Sequence, residues 1–188
     1  MGYSKKIIYR NKAKLNDDIY VTGNLGDSYL GFKVLSNKAK FKNKDKLFFI
    51  DKYYKPDLPL NLTKYLFKFA NSSIDISDGL IDDLSKMINK QKLSFNLFEK
   101  KIPVSKKLSN LIKKQRLNKI NLISKGDDYQ VLFTASINKA RIIEKASKAT
   151  GIKITKIGKI VSGKDRSLIF NEKGKQIQAK SKGYIHQF

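Results

Sequence analysis

Between Ser72 and Ile88 the hydrophobic period of the chain changes abruptly, and this change constrains the fold more than any other feature. Residues 72–76 read as a strand, with Ile74 and Ile76 on one face and Asp75 and Ser77 on the other. From Leu80 onward, Leu80, Ile81, Leu84, Met87 and Ile88 recur at i, i+1, i+4, i+7 and i+8. That single stripe of period near 3.6 predicts an amphipathic helix. Further strands are predicted at 18–22, 95–98, 129–135 and 152–161, and a hairpin joins 168–170 to 176–178. Residues 129–135 have too few polar positions to face water and are expected inside the sheet. Other helices are predicted after residues 24–28, with Leu25, Tyr29 and Phe32 on one face and Asn24 or Asp27 as N-cap. They are also predicted around Leu47, Phe48 and Ile50, at Leu62, Leu66 and Phe69, at Leu108, Leu111 and Ile112, and over 138–150 with Gly151 just past the end. Strands and helices alternate without strict βαβ order. The fold class is α/β or α+β, a mixed β-sheet with helices packed on it.

The junction Ser73-Ile74-Asp75-Ile76-Ser77-Asp78-Gly79-Leu80 places two carboxylates and a hydroxyl within four residues at a helix start. Ser77 can cap that helix, and the first-turn amides add partial positive charge. An anion held there is repelled by Asp75 and Asp78 unless Mg²⁺ lies between, and Mg²⁺ takes carboxylate oxygens together with phosphates and waters. An ordinary N-cap with acidic first-turn residues accounts for the spacing equally well. Lys125-Gly126-Asp127-Asp128-Tyr129 reads either as a ligand loop or, more simply, as a Gly-Asp turn. Asp17-Asp18 and Gly23-Asn24-Leu25-Gly26-Asp27 match neither the dinucleotide nor the P-loop fingerprint and read as a structural turn. His186 is the only histidine and there is no cysteine, so neither a zinc site nor a disulfide is expected.

A chain of 188 residues suits one medium domain. No run of 18 apolar residues and no signal-like N-terminus is present, and a cytoplasmic protein is expected, without a membrane partner. The net charge of +24 points toward nucleic acid. Against that, only four of the 40 basic residues are arginines, and the lysines spread over the whole length. Base-reading sites lean on arginine forks, so a drift toward lysine-rich composition is the preferred reading. A basic nucleic-acid-binding module is the alternative.

Taken together, the motifs resemble those of the thiamine-monophosphate kinase family. Residues 18–28, Asp-Ile-Tyr-Val-Thr-Gly-Asn-Leu-Gly-Asp-Ser, resemble its strand and Gly-Asp-Ser turn. Residues 73–80 resemble its Ile-Asp-Ile-Ser-Asp-Gly-Leu signature, and Gly126-Asp127-Asp128-Tyr129 its Gly-Glu-Asp-Tyr motif. Ile157-Gly158-Lys159-Ile160 and the Gly183-Tyr184-Ile185-His186 tail follow in the same order. The resemblance implies an aminoimidazole ribonucleotide synthetase-like fold and transfer of the γ-phosphoryl of ATP to thiamine monophosphate. By the same resemblance Asp75 and Asp78 are Mg²⁺ ligands, Ser77 and Arg10 contact ATP, and Asp127 and Tyr184 contact the substrate. Residues 1–17 are then an interdomain segment or arm, and 18–188 a C-terminal domain. The family's N-terminal motifs are not found here. The resemblance therefore implies that an N-terminal domain is needed in cis or in trans, that the isolated chain is inactive, and that a homodimer belongs only to the full-length enzyme. Another ATP-using enzyme of the same superfamily is a further alternative. Three departures stand out: Asn16 and Lys125 replace glycines, and Asp127 is one methylene shorter than the usual glutamate.

Overall fold

The computed structural model describes residues 7–39, 41 and 43–178. Among them, seven strands form one sheet: β1 (Asp18–Thr22), β2 (Ser72–Asp75), β3 (Leu93–Phe98), β4 (Val131–Ala135), β5 (Ile154–Ser162), β6 (Leu168–Phe170) and β7 (Gln176–Ile177). Their order is β2-β4-β1-β5-β3-β6-β7. All neighbours are antiparallel except β3 and β6, which run parallel. The stretch short of polar positions thus becomes β4, an interior strand between β2 and β1. The helices are α1 (Asp27–Leu35), α2 (Asn43–Tyr54), α3 (Thr63–Leu66), α4 (Leu80–Ile88), α5 (Lys106–Gln115), α6 (Lys119–Ile123) and α7 (Ala140–Thr150). No helix among the described residues is long and apolar enough to cross a membrane.

Each sheet face builds its own core. On one face, Ile19 and Val21 of β1, Phe95 and Leu97 of β3 and Ile157 and Ile160 of β5 receive Leu80, Leu84 and Met87 of α4. The predicted α4 stripe is buried throughout. Leu84 is fully buried, and removing such a side chain from water stabilises the fold by roughly 2 kcal/mol. On the other face, Tyr20 stacks on Phe133 at 5.2 Å between ring centroids, and Leu62, Phe69, Ile143 and Ala146 close over them. A third cluster, including Leu30, Phe49, Leu108 and Leu111, locks α1, α2 and α5 together.

Several local expectations change. α1 begins at Asp27, and its N-cap is Gly26, with no side-chain cap. Its buried side carries Leu30, Gly31 and Val34 rather than Tyr29 and Phe32, because α2 packs against it. A Cβ at Gly31 would lie 2.1 Å from the Phe49 carbonyl oxygen, so the two helices approach as only glycine allows. The helix expected around Leu62, Leu66 and Phe69 is reduced to a 3₁₀ turn at Leu60–Leu62 and the single turn of α3. The short α6 was not foreseen, since five residues carry too little periodicity. Gly151 does close α7, with φ of 68°.

Candidate active site

Three loops from different parts of the chain meet at one end of the sheet. The end of β2 leads into residues 76–79, the approach to β4 is residues 125–130, and β1 leads into residues 23–26. The first two loops extend the β2–β4 ladder beyond the strands. Ile76 N–H donates to the Gln130 carbonyl, Tyr129 N–H to that of Ile76, and Asp127 N–H to that of Ser77, each at 2.9 Å. Gly126 sits so close that a Cβ there would fall 2.0 Å from the Ser77 oxygen, and its φ is +79°. Only glycine satisfies both conditions. The third loop is tied in by Asp128, whose oxygens accept from Gly26 N–H at 3.0 and 2.8 Å. Gln130 Oε1 accepts from Thr22 Oγ1 at 2.8 Å.

Burial sets the charge state of this scaffold. Asp128 is buried, which pushes its carboxyl well up despite the Gly26 hydrogen bonds. Asp27, also buried, is raised to about 6 by the same cause; Ser105 Oγ, donating at 2.7 Å, works against that shift. Asp128 braces the loops from behind, and both side chains line a cavity of about 310 Å³ with Ser28, Lys52 and Ser105.

The solvent side of the loops carries a different acidic set. Asp75 is exposed at the end of β2, and Asp78 is half-buried. Asp127 is half-buried too; desolvation and the nearby Asp78 charge raise its carboxyl. Tyr129 is raised first by burial and then by Asp127, Asp75, Tyr53 and Asp78. The three predicted carboxylates therefore act on one point, the Tyr129 hydroxyl. The expected Ser77 cap on α4 is not formed: Gly79 is the N-cap, without a side-chain bond. Asp83 takes that role, its Oδ2 accepting from the N–H groups of Asp78 and Gly79 at 3.0 Å each. Lys86 pairs with Asp78, with Asp82 at 2.8 Å and with Asp83 at 3.2 Å. Burial opposes its charge, yet the carboxylates raise its pKa above the ordinary lysine value. The donor oxygens of Asp78, Asp82 and Asp83 lie within 4.8 Å of one another. Among the described residues this is the one group of three carboxylates close enough to share a cation, and Lys86 already pairs with all three, while Asp75 and Asp127 are further accessible carboxylates of the same two loops.

Arg10 is exposed, in a turn before β1. Tyr184 falls outside the described residues, as does His186. The acidic pair before β1 belongs to the opposite end of the sheet. There Asp17 accepts from Asn71 and Thr134 side chains, and Asp18 pairs with Lys156 at 2.7 Å. Sequence reasoning missed the structural roles of Asp83 and Asp128. Asp83 had a local signal, an acidic side chain in the first helical turn. Asp128 had none, because its partner Gly26 is 102 residues away.

The solved structures this sheet and its helices match share the aminoimidazole ribonucleotide synthetase-like fold, and the chain has that fold. Escherichia coli HypE, a hydrogenase maturation protein, shares the fold at a TM-score of 0.71 and 14% identity over 96% of this chain and 54% of that one. AaThiL complexed with AMPPCP and TMP matches at a TM-score of 0.76 and 28% identity over 96% of this chain and 54% of that one. The thiamine-monophosphate kinase of Buchnera aphidicola subsp. Schizaphis graminum is 37% identical over 185 residues, 97% of this chain and 56% of its own length. No family model matches the sequence. The chain belongs to the thiamine-monophosphate kinase family and corresponds to the C-terminal part of its members. It spans little more than half the length of the relatives it matches.

Proposed function

We propose that this chain supplies the C-terminal share of an ATP-dependent kinase that converts thiamine monophosphate to thiamine diphosphate in the cytoplasm. One observation carries the reading: the Asp75–Asp78 corner and the Gly126–Asp127 loop, 50 residues apart in sequence, are hydrogen-bonded side by side. Residues 1–17 are taken as the segment leading into a domain of residues 18–188. In this reading Asp75 and Asp78 hold Mg²⁺, which when bound neutralises the phosphate oxygens of ATP. Phosphoryl transfer depends on positioning and charge neutralisation rather than covalent chemistry by the protein. Ser77, beside the start of α4, and Arg10 contact the nucleotide. Asp127 pairs with the positive charge of thiamine, and Tyr184 packs on its ring. The remaining nucleotide and metal contacts come from polypeptide matching the rest of the relatives' length, in cis or in trans.

A turnover assay with ATP, Mg²⁺ and thiamine monophosphate tests this. The chain alone is expected to turn over far more slowly than an intact kinase, while binding Mg–AMPPCP. Asp75→Asn is expected to weaken that binding by about tenfold, on the order of 1.4 kcal/mol. Turnover matching an intact kinase contradicts the idea of an incomplete site. Unchanged Mg–AMPPCP binding by Asp75→Asn contradicts the assignment of the corner.

A further inference from the structure

Tyr129 stands out among the described residues. Its φ is +50°, and that of Asp127 is +60°. Bulky side chains rarely adopt this left-handed conformation, and such strain persists only where the surroundings impose it. Here the surroundings do so through the Asp127 and Tyr129 N–H bonds to Ser77 and Ile76. The result is directional. Asp128 and Gln130, on either side, are each 4% exposed, whereas Tyr129 is 41% exposed. The loop thus holds an aromatic ring out in solvent between two side chains that brace the sheet. Its N–H is held on the Ile76 carbonyl, between Asp75 and Asp78 in sequence, and Asp127 is bonded to Ser77 beside it.

We propose that Tyr129 is a specificity-determining residue whose ring packs against the permanently cationic thiazolium ring of the substrate. An exposed ring flanked by carboxylates attracts a cationic heteroaromatic group through its π face and through the surrounding negative charge. The Asp127 carboxylate beside the ring disfavours an anion lying over it, so the phosphates belong toward Asp75 and Asp78, where Mg²⁺ is proposed to lie. A phenol is uncharged at neutral pH, so the ring face supplies the contact. Binding therefore depends on the ring and not on the hydroxyl. This inference rests on the kinase reading.

The test is calorimetric titration of the full chain with thiamine, thiamine monophosphate and Mg–AMPPCP, using wild type, Tyr129→Phe and Tyr129→Asn. Asparagine tolerates the left-handed backbone, so the loop keeps its shape while the ring is lost. Tyr129→Asn is expected to weaken thiamine and thiamine monophosphate about tenfold and to leave Mg–AMPPCP within about twofold. Tyr129→Phe is expected to keep all three within about twofold. Wild-type thiamine binding by Tyr129→Asn overturns the role of the ring and leaves the kinase reading intact. Equal loss of thiamine and Mg–AMPPCP overturns it as well, since Tyr129 then supports the loop as a whole. Failure of the wild-type chain to bind any thiamine compound overturns the kinase reading, and this inference with it.

Discussion

Asp27 illustrates how one side chain can serve the site without reaching it. It is 6% exposed at the first turn of α1 and is bonded to Ser105. Burial raises its pKa from 3.8 to about 6. The unfolded chain ionises this group at the lower value, so folding favours the protonated form. The stability that follows is fully present below about pH 4 and is lost as pH rises through 6, amounting to about 3 kcal/mol for a shift of this size. Asp27→Asn keeps an acceptor for Ser105 and removes the ionisation. Urea unfolding at pH 4.5 and pH 7.5 should show the variant losing less stability across that interval than wild type. An identical loss in both proteins shows that Asp27 ionises without penalty. Sequence alone marked Asp27 as a possible cap; its buried position depends on Ser105, 78 residues further on, and on the α1–α2 contact. Asn16 is a case where the sequence was more informative than it looked. It replaces a glycine in the resemblance, and its φ of +69° is one that asparagine tolerates.

At the scale of elements, α4 was legible in full because its stripe is local and its burial follows from one sheet face. What could not be read was how its N-terminus is fixed. Ser77 has the chemistry of a cap, yet the backbone of residues 76 and 77 is committed to the 126–130 loop. The hydroxyl is therefore carried away from the first-turn amides, and Asp83 reaches back to them instead. This makes α4 more than a core helix: its first-turn Asp83 carboxylate sets the shape of the corner that carries Asp78. Asp83→Ala is expected to cost about 1–2 kcal/mol, the value of a lost cap. It should also weaken Mg–AMPPCP binding, since Asp78 N–H loses its acceptor and Lys86 one of its three carboxylates. Thermal unfolding and the same titration read the two effects. Loss of stability with unchanged nucleotide binding separates the cap from the site and removes Asp83 from the functional argument.

For the whole molecule, the charge distribution decides between kinase and nucleic-acid module. With 40 basic and 16 acidic residues, most lysines have no acidic counterpart. Four of those 16 acids, Asp75, Asp78, Asp82 and Asp127, nonetheless lie at accessible positions at the end of β2, in two adjacent loops and in the first turn of α4. A surface evolved to grip a polyanion has no use for such a concentration, whereas a metal–phosphate site requires it. The lysine field still attracts polyanions, but without arginine forks it reads no bases. Duplex DNA is therefore expected to bind weakly and without sequence preference, with an affinity that falls linearly in log salt and vanishes by roughly 0.3 M NaCl. Asp75→Asn should leave that binding unchanged, because a carboxylate contributes nothing to phosphate contacts, while Mg–AMPPCP binding drops. A filter-binding salt series on both proteins makes the comparison. Sequence-selective DNA binding that persists at high salt identifies the lysines as the functional surface and leaves the acidic corner as a structural feature of α4. Salt-labile binding, together with Mg–AMPPCP binding that depends on Asp75, places the function at the corner and makes the lysine excess a property of composition.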